Sequence, residues 1–333
     1  MPPSSLLRSV LRAPRLVACL AALGSAALPV AAADVFPSKE IRFIVPWNAG
    51  GSNDIAARAL AQLVAEQGVQ VLVDNHPGAT GSIGMSKVAN AAPDGYTIGM
   101  GTSSTLALIA QGLTPLKNEQ FAPIARVTID PLILLVPAHG PVDSLASFIA
   151  SVKKNPGKVS IGTPGSNNLN HIFAVMSGRA AGADVIAVPY TGGSKVVADL
   201  AGRQIDAAVL KPSESKAQID GGLVKPIAVF ANARLKALPD VPTFKEKGYD
   251  VFPYGPLVQM AYIVAPAATP QPVREKLIAI FNKAIQSAKF KASTEEGGAV
   301  VDDLTDAALA KEIATVQKSL NEVGKKVFVA ERK

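Results

Sequence analysis

Cysteine is nearly absent from this chain: the one residue, Cys19 of 333, falls in an N-terminal leader. The exported chain therefore has no disulfide, no thiolate metal site and no cysteine nucleophile. Aromatic residues make up 5% and charged residues 18%, and no basic block is interleaved with aromatics, so no nucleic-acid partner is expected. His76, His139 and His171 sit on separate segments without metal-ligand spacing. No G-x-S-x-G elbow is present, so a secreted hydrolase would need an unfamiliar pairing of Ser103 or Ser166 with His171. With 48% hydrophobic residues and no long charge runs, the chain is long enough to bury one large core or two moderate ones.

The first 33 residues read as a signal peptide. Arg8, Arg12 and Arg15 form a basic region, residues 16–30 an apolar one, and Ala31-Ala32-Ala33 a small-residue cleavage site, predicting a mature start at Asp34 in the periplasm. The apolar run is short for a membrane span and ends beside Pro29. A lipoprotein box at residues 16–19 is rejected because the three arginines occupy the place of its apolar region. Without the leader, 30 basic residues face 26 acidic ones. This mild positive charge helps to draw anions but does not argue for a membrane or polyanion surface.

Along the mature chain, strand-like runs alternate with helical periodicity, predicting an α/β fold. Strands are expected at residues 41–47, 69–74, 96–100, 131–136, 159–162, 185–188, 205–210 and 226–230. Helices are expected from Ile55 to Gly68, at residues 82–91, near Leu106, and at 144–154, 169–180, 194–200, 273–288 and 307–323. The run Gly78 to Gly84 has G-x-x-G-x-x-G spacing and reads as loop-to-helix packing, not a dinucleotide loop.

Both halves carry the same device, a strand ending in small polar residues before a helix. The first half has Asn48-Ala49-Gly50-Gly51-Ser52-Asn53-Asp54 after a strand, and Thr102-Ser103-Ser104 after another. The second has Thr163-Pro164-Gly165-Ser166-Asn167-Asn168 and Tyr190-Thr191-Gly192-Gly193-Ser194. Such turns lie at the carboxyl ends of strands, where helix N-termini offer N–H groups to anions. Four donor-rich turns on two half-chains point to two lobes around one small anionic ligand.

The segments PSKEIRFIVPWNAGGSNDIAARALA, NHPGATGSIG, PDGYTIGMGTSST, VPYTGGSKVVADLAGRQID and LPDVPTFKEKGYD occur in this order. Together they resemble the substrate-binding proteins of tripartite tricarboxylate transporters, the Bug-type receptors, over essentially the whole mature chain. The resemblance implies a two-lobed periplasmic-binding-protein (Venus flytrap) fold, each lobe a sheet flanked by helices. It implies a carboxylate ligand held by amides, hydroxyls and waters, no cofactor, and no enzymatic activity. Lobe 1 is expected over residues 34–136 and 255–333, and lobe 2 over 137–254. The expected partners are the small carboxylate and either membrane permease subunits or a sensor kinase, with a monomer as the default state.

Residue by residue, the resemblance carries Gly50, Gly51 and Ser52 as carboxylate donors, Thr102 and Ser103 as the second first-lobe turn, and Thr191, Gly192 and Gly193 as the second-lobe turn. Asp54, at the mouth of its helix, either meets an amide, a water or a ligand amine, or caps the helix beginning at Ile55. Three departures from the family pattern alter the pocket. Trp47-Asn48 replaces the usual Phe-Pro type of pair; GTPGSNNLNHIF brings Gly165, Ser166, Asn167, Asn168 and His171 near it; and Lys211 stands where an acidic or amide segment is common. Lys211 is either a ligand contact or a solvated lysine. Trp47 or Tyr190 can wall an aromatic ligand, and so can an apolar stretch near Val258 and Met260. Aliphatic diacids, amino acids, phthalate-type acids and nicotinate-like acids all fit such a site.

Overall fold

The apolar run at residue 41 becomes strand β1 (Ile41–Val45), in which only Arg42 reaches solvent. Near-continuous burial of this kind belongs to a parallel strand covered on both faces, and β1 pairs in parallel with β2 (Val71–Asn75) and β3 (Thr97–Thr102). The structure is a computed structural model that describes residues 36–328. The signal peptide expected over residues 1–33 lies outside the described residues.

Strand β4 (Phe121–Ile129) and the late-returning β10 (Met260–Pro266) complete this first sheet, in the order β2-β1-β3-β10-β4, with β10 antiparallel to both its neighbours. Helices α1 (Ser52–Ala65) and α8 (Gln271–Ile285) cover one face, where Phe43 meets Phe281 edge-on at 5.9 Å. Helices α2 (Ser82–Ala89), α3 (Ser103–Ala110) and α10 (Asp306–Val323) supply apolar side chains to a second cluster. The short α9 (Ala288–Glu296) follows α8.

The second sheet repeats the plan in the order β7-β6-β8-β5-β9. It comprises β5 (Leu132–Pro137), β6 (Ser160–Thr163), β7 (Ile186–Pro189), β8 (Ala207–Leu210) and β9 (Val224–Phe230). Strands β6, β7 and β8 are mutually parallel, while β5 runs antiparallel to β8 and β9. Helices α4 (Leu145–Lys154), α5 (Leu169–Ala180), α6 (Gly193–Ala201) and α7 (Pro212–Asp220) connect them. The ring of Phe230 stacks on Phe244 and lies against Phe173, both pairs at 4.7 Å.

The two sheets, each flanked by helices, are the expected α/β architecture. All six residues of β5 are buried in the second sheet, so the chain crosses between β4 and β5, at Asp130-Pro131. It returns between β9 and β10. The crossings touch, since the Asp130 N–H donates to the Gln259 carbonyl at 2.8 Å. Apolar residues of α3 and α10 share one core cluster with those of α4 and α5, so the sheets are joined by packing as well as by covalent connection.

Candidate functional site

In a parallel sheet every strand delivers its following turn to the same edge, so the turns after β1 and β3 share one border, and those after β6, β7 and β8 share another. One contact shows that these borders face each other. Lys211, immediately after β8, donates from Nζ to Ser52 Oγ, in the first turn of α1, at 3.0 Å. Of the residues expected to surround a ligand, Ser52 and Lys211 are thereby brought together from the two sheets.

The turn after β1 is open. Gly50 takes φ +79°, a conformation natural to glycine, and the Gly51 N–H reaches back to the Asn48 carbonyl at 3.3 Å. Gly51 is the N-cap of α1 and no side chain caps the helix. Its first amides are left to other acceptors. Asn48, Ala49, Gly50 and Gly51 are exposed, and Ser52 is half-buried.

Asp54 stabilises this turn from behind. It is 2% exposed and accepts from the Gly50 N–H at 2.8 Å, Arg58 Nε at 3.0 Å and Asn75 Nδ2 at 2.9 Å. Burial pushes its pKa up, but the hydrogen bonds from Arg58, Gly50 and Asn75 outweigh it and hold the carboxyl below its ordinary value. Asp54 is thus not the helix cap; of the expected alternatives it meets amides, those of Gly50 and Asn75. Trp47 lies with its ring against Gly81 and Thr105, within the first-sheet half. Of the glycines at residues 78–84, Gly84 approaches Pro46 and the His76 carbonyl so closely that a Cβ would sit 2.8–2.9 Å from them, which accords with the packing reading.

At the turns after β3 and β7 the following helix likewise starts without a side-chain cap, α3 at Thr102 and α6 at Gly192. Thr102 is 1% exposed and its Oγ1 has no partner among the described residues. Ser103 is engaged: its hydroxyl donates to the Val258 carbonyl at 2.5 Å and accepts from the Met260 N–H at 3.2 Å. Thr191 is exposed, and Gly193 is packed so that a Cβ there would meet Glu214 at 3.1 Å. Burial pushes the Glu214 carboxyl up, and the nearby Lys211 only partly offsets this. Tyr190 is half-buried, and burial together with its hydrogen bond to Asp199 pushes its phenol up.

The turn after β6 is closed on itself. Asn168 caps α5 by accepting the His171 N–H at 2.9 Å, while His171 Nδ1 accepts the Asn167 N–H at 3.0 Å with Asn167 at φ +57°. Thr163 Oγ1 donates to the Gly165 carbonyl at 2.8 Å. Burial pushes the His171 imidazole pKa down. With Nδ1 taken by a backbone amide, His171 is poorly arranged as a base for the exposed Ser166. Gly165 and Ser166 remain at the surface of the turn, but Asn168 and His171 serve the turn itself.

Lys211 is not solvated. Its side chain is 7% exposed and lies 3.4 Å from Asp130 Oδ2 at the first crossing, a role that sequence reasoning did not foresee. Asp130 was missed because it stands in the connection between two apolar strands, outside any glycine-rich turn. Met260 is fully buried in the core cluster, whereas Val258 is half-buried beside Ser103. Among the described residues no group of three potential metal ligands occurs, and no helix is long and apolar enough to cross a membrane. A separate groove of about 540 Å³ runs between α10 and the start of β4, lined by Phe121, Ile313 and Lys318.

Comparison with known proteins bears on this arrangement. A family model described as "Tripartite tricarboxylate transporter family receptor" matches residues 56–326. A UPF0065 protein of Bordetella pertussis is 35% identical over 280 residues, covering 83% of each chain. The protein BugT of Bordetella pertussis is 31% identical over 312 residues, covering 90% of this chain and 94% of BugT. Among solved structures, the periplasmic binding protein BugD superposes with a TM-score of 0.76 at 30% identity, covering 87% of this chain and 98% of BugD. MatC from Rhodopseudomonas palustris, solved with bound malate, superposes with a TM-score of 0.77 at 25% identity, covering 87% of this chain and all of MatC.

Proposed function

This chain belongs to the tripartite tricarboxylate transporter receptor family, a family of periplasmic solute-binding proteins, and we propose that it captures a small carboxylate between its two sheets for delivery to a membrane permease. The observation that carries this reading is the 3.0 Å approach of Lys211 to Ser52, which brings two carboxyl-edge borders and their uncapped helix starts to one place. A carboxylate taken out of water needs several converging donors. The amides at Gly51 and Ser52 supply them from one side, and the turn at Gly192 and Gly193 from the other. The malate held by MatC supports a small carboxylate as the ligand class.

Capture follows from bending at the paired crossings: the anion docks on the first-sheet turn and the second-sheet turns close over it. No bond is made or broken. Thermal unfolding of refolded protein against aliphatic, amino and aromatic acids tests this reading. An acid at ~100 times its dissociation constant stabilises the native state by about 2.7 kcal/mol. A stable protein that responds to no acid would refute the assignment.

A further inference from the structure

The Lys211 ammonium is buried with fewer acceptors than it has donors. Its side chain is 7% exposed, yet Ser52 Oγ at 3.0 Å is its one hydrogen-bond acceptor among the described residues. Asp130 Oδ2 lies at 3.4 Å, beyond the ~2.7–2.9 Å of a charge-assisted hydrogen bond. That same oxygen already accepts from Thr128 Oγ1 at 2.7 Å. An ammonium carries about three N–H donors, so most of its hydrogen-bonding capacity is unmet. Donors left unmet in a buried place are costly, which implies an acceptor that arrives from outside.

Two other buried polar atoms lack a partner among the described residues: Gln259 Oε1, at the second crossing, and Thr102 Oγ1, at the end of β3 opposite Ala261, in residues 6% and 1% exposed. Gln259 adjoins Asp130 through the backbone hydrogen bond between the crossings, and the Ser103 hydroxyl spans its two neighbours Val258 and Met260. Two unmet polar groups of the first-sheet side thus stand near the crossing at which Asp130 approaches the second-sheet cation, whose one hydrogen bond goes to the uncapped start of α1.

Resting on the solute-receptor reading, we infer that Lys211 selects the ligand by charge, taking an ionised carboxylate in preference to its amide, while Asp130 holds the ammonium in position without satisfying it. The carboxylate accepts from Lys211 and from the first amides of α1 together. Asp130 keeps the buried cation compensated while the site is open and competes weakly with the ligand for it. The family resemblance implied a carboxylate held by amides and waters, so this cation is a feature of the present chain.

Calorimetric titration of the full mature protein with malate, succinate, benzoate and nicotinate, and with benzamide and nicotinamide as uncharged counterparts, tests the inference. The wild-type protein binds one or more acids and prefers an acid to its amide. Lys211→Met retains the apolar stem, weakens the acid by about 10- to 100-fold and collapses the acid-to-amide ratio. Asp130→Asn strengthens acid binding by removing the competing carboxylate. If Lys211→Met unfolds because it strands Asp130, the double variant Lys211→Met/Asp130→Asn, which removes both charges, gives the same comparison. An unchanged acid-to-amide ratio in the folded variant overturns the inference and leaves the receptor reading standing. Failure of the wild-type protein to bind any of the acids overturns both.

Discussion

The turns after β1 and after β6 both run from a strand into a helix through glycine, serine and asparagine, but only the second is capped by its own side chain. Around β6, Asn168, His171 and Thr163 satisfy the turn from within. Around β1 the cap position is glycine, which has no side chain to offer, and the one local carboxylate, Asp54, is turned inward to hold the loop. Composition makes these turns look alike. The identity of the cap residue separates a turn that can receive an anion from one that is complete without it.

Four substitutions break or sharpen that contrast. The largest effect is expected from Gly51→Asp, which puts a carboxylate at the open cap beside the Asn48 carbonyl. Ligand affinity should fall by more than ~100-fold, as expected when charge-assisted contacts are replaced by like-charge repulsion. The melting temperature should hold, and titration calorimetry beside a melting curve separates the two quantities. Asp54→Ala should come next, leaving Gly50 and Asn75 without their acceptor and Arg58 without its ion pair. A loss of about 2 kcal/mol of stability, together with weaker binding, is expected from denaturant unfolding.

At the closed turn, Asn168→Ala removes the cap of α5. It should cost about 1 kcal/mol of stability with less effect on affinity than either change at the open turn; an affinity loss rivalling that of Gly51→Asp would erase the contrast. The smallest effect is a pH dependence. Because burial lowers the His171 pKa, the unfolded chain binds this proton more readily. The stability linked to His171 is therefore full above its unfolded pKa of about 6.5 and declines as pH falls through that value toward the lowered folded one. His171→Gln should flatten that part of the wild-type stability profile between neutral and mildly acidic pH.

Much of the fold was legible in the sequence, because strands buried on both faces leave continuous apolar runs, whether parallel like Ile41 to Val45 or antiparallel like Leu132 to Pro137. The membership of β5 was not legible. Nothing in an apolar run states which of two sheets it enters, and β5 pairs with strands that follow it by some seventy to ninety residues, such as β8 and β9. Strand β4 escaped notice because Pro123 and Arg126 interrupt its pattern; Arg126 is nonetheless buried and paired with Asp302. Helix α9 was not expected: the helix expected over 273–288 ends where α9 begins, and Ser287 accepts the Phe290 N–H at 3.2 Å to start this separate helix. In the site, the glycine-rich turns were visible as motifs. The direction of Asp54, the internal bonding of Asn168 and the pairing of Lys211 with Asp130 depend on residues distant in sequence.

The hydrogen bond between Asp130 and Gln259 has a mechanical meaning. Two chain segments tied side by side behave as a strap hinge with two leaves. They yield readily to folding about the line that joins them, while shear and torsion pull directly against the tie. For the capture proposed above, a tie of this kind leaves folding as the easiest motion, so that the facing turns approach in one register.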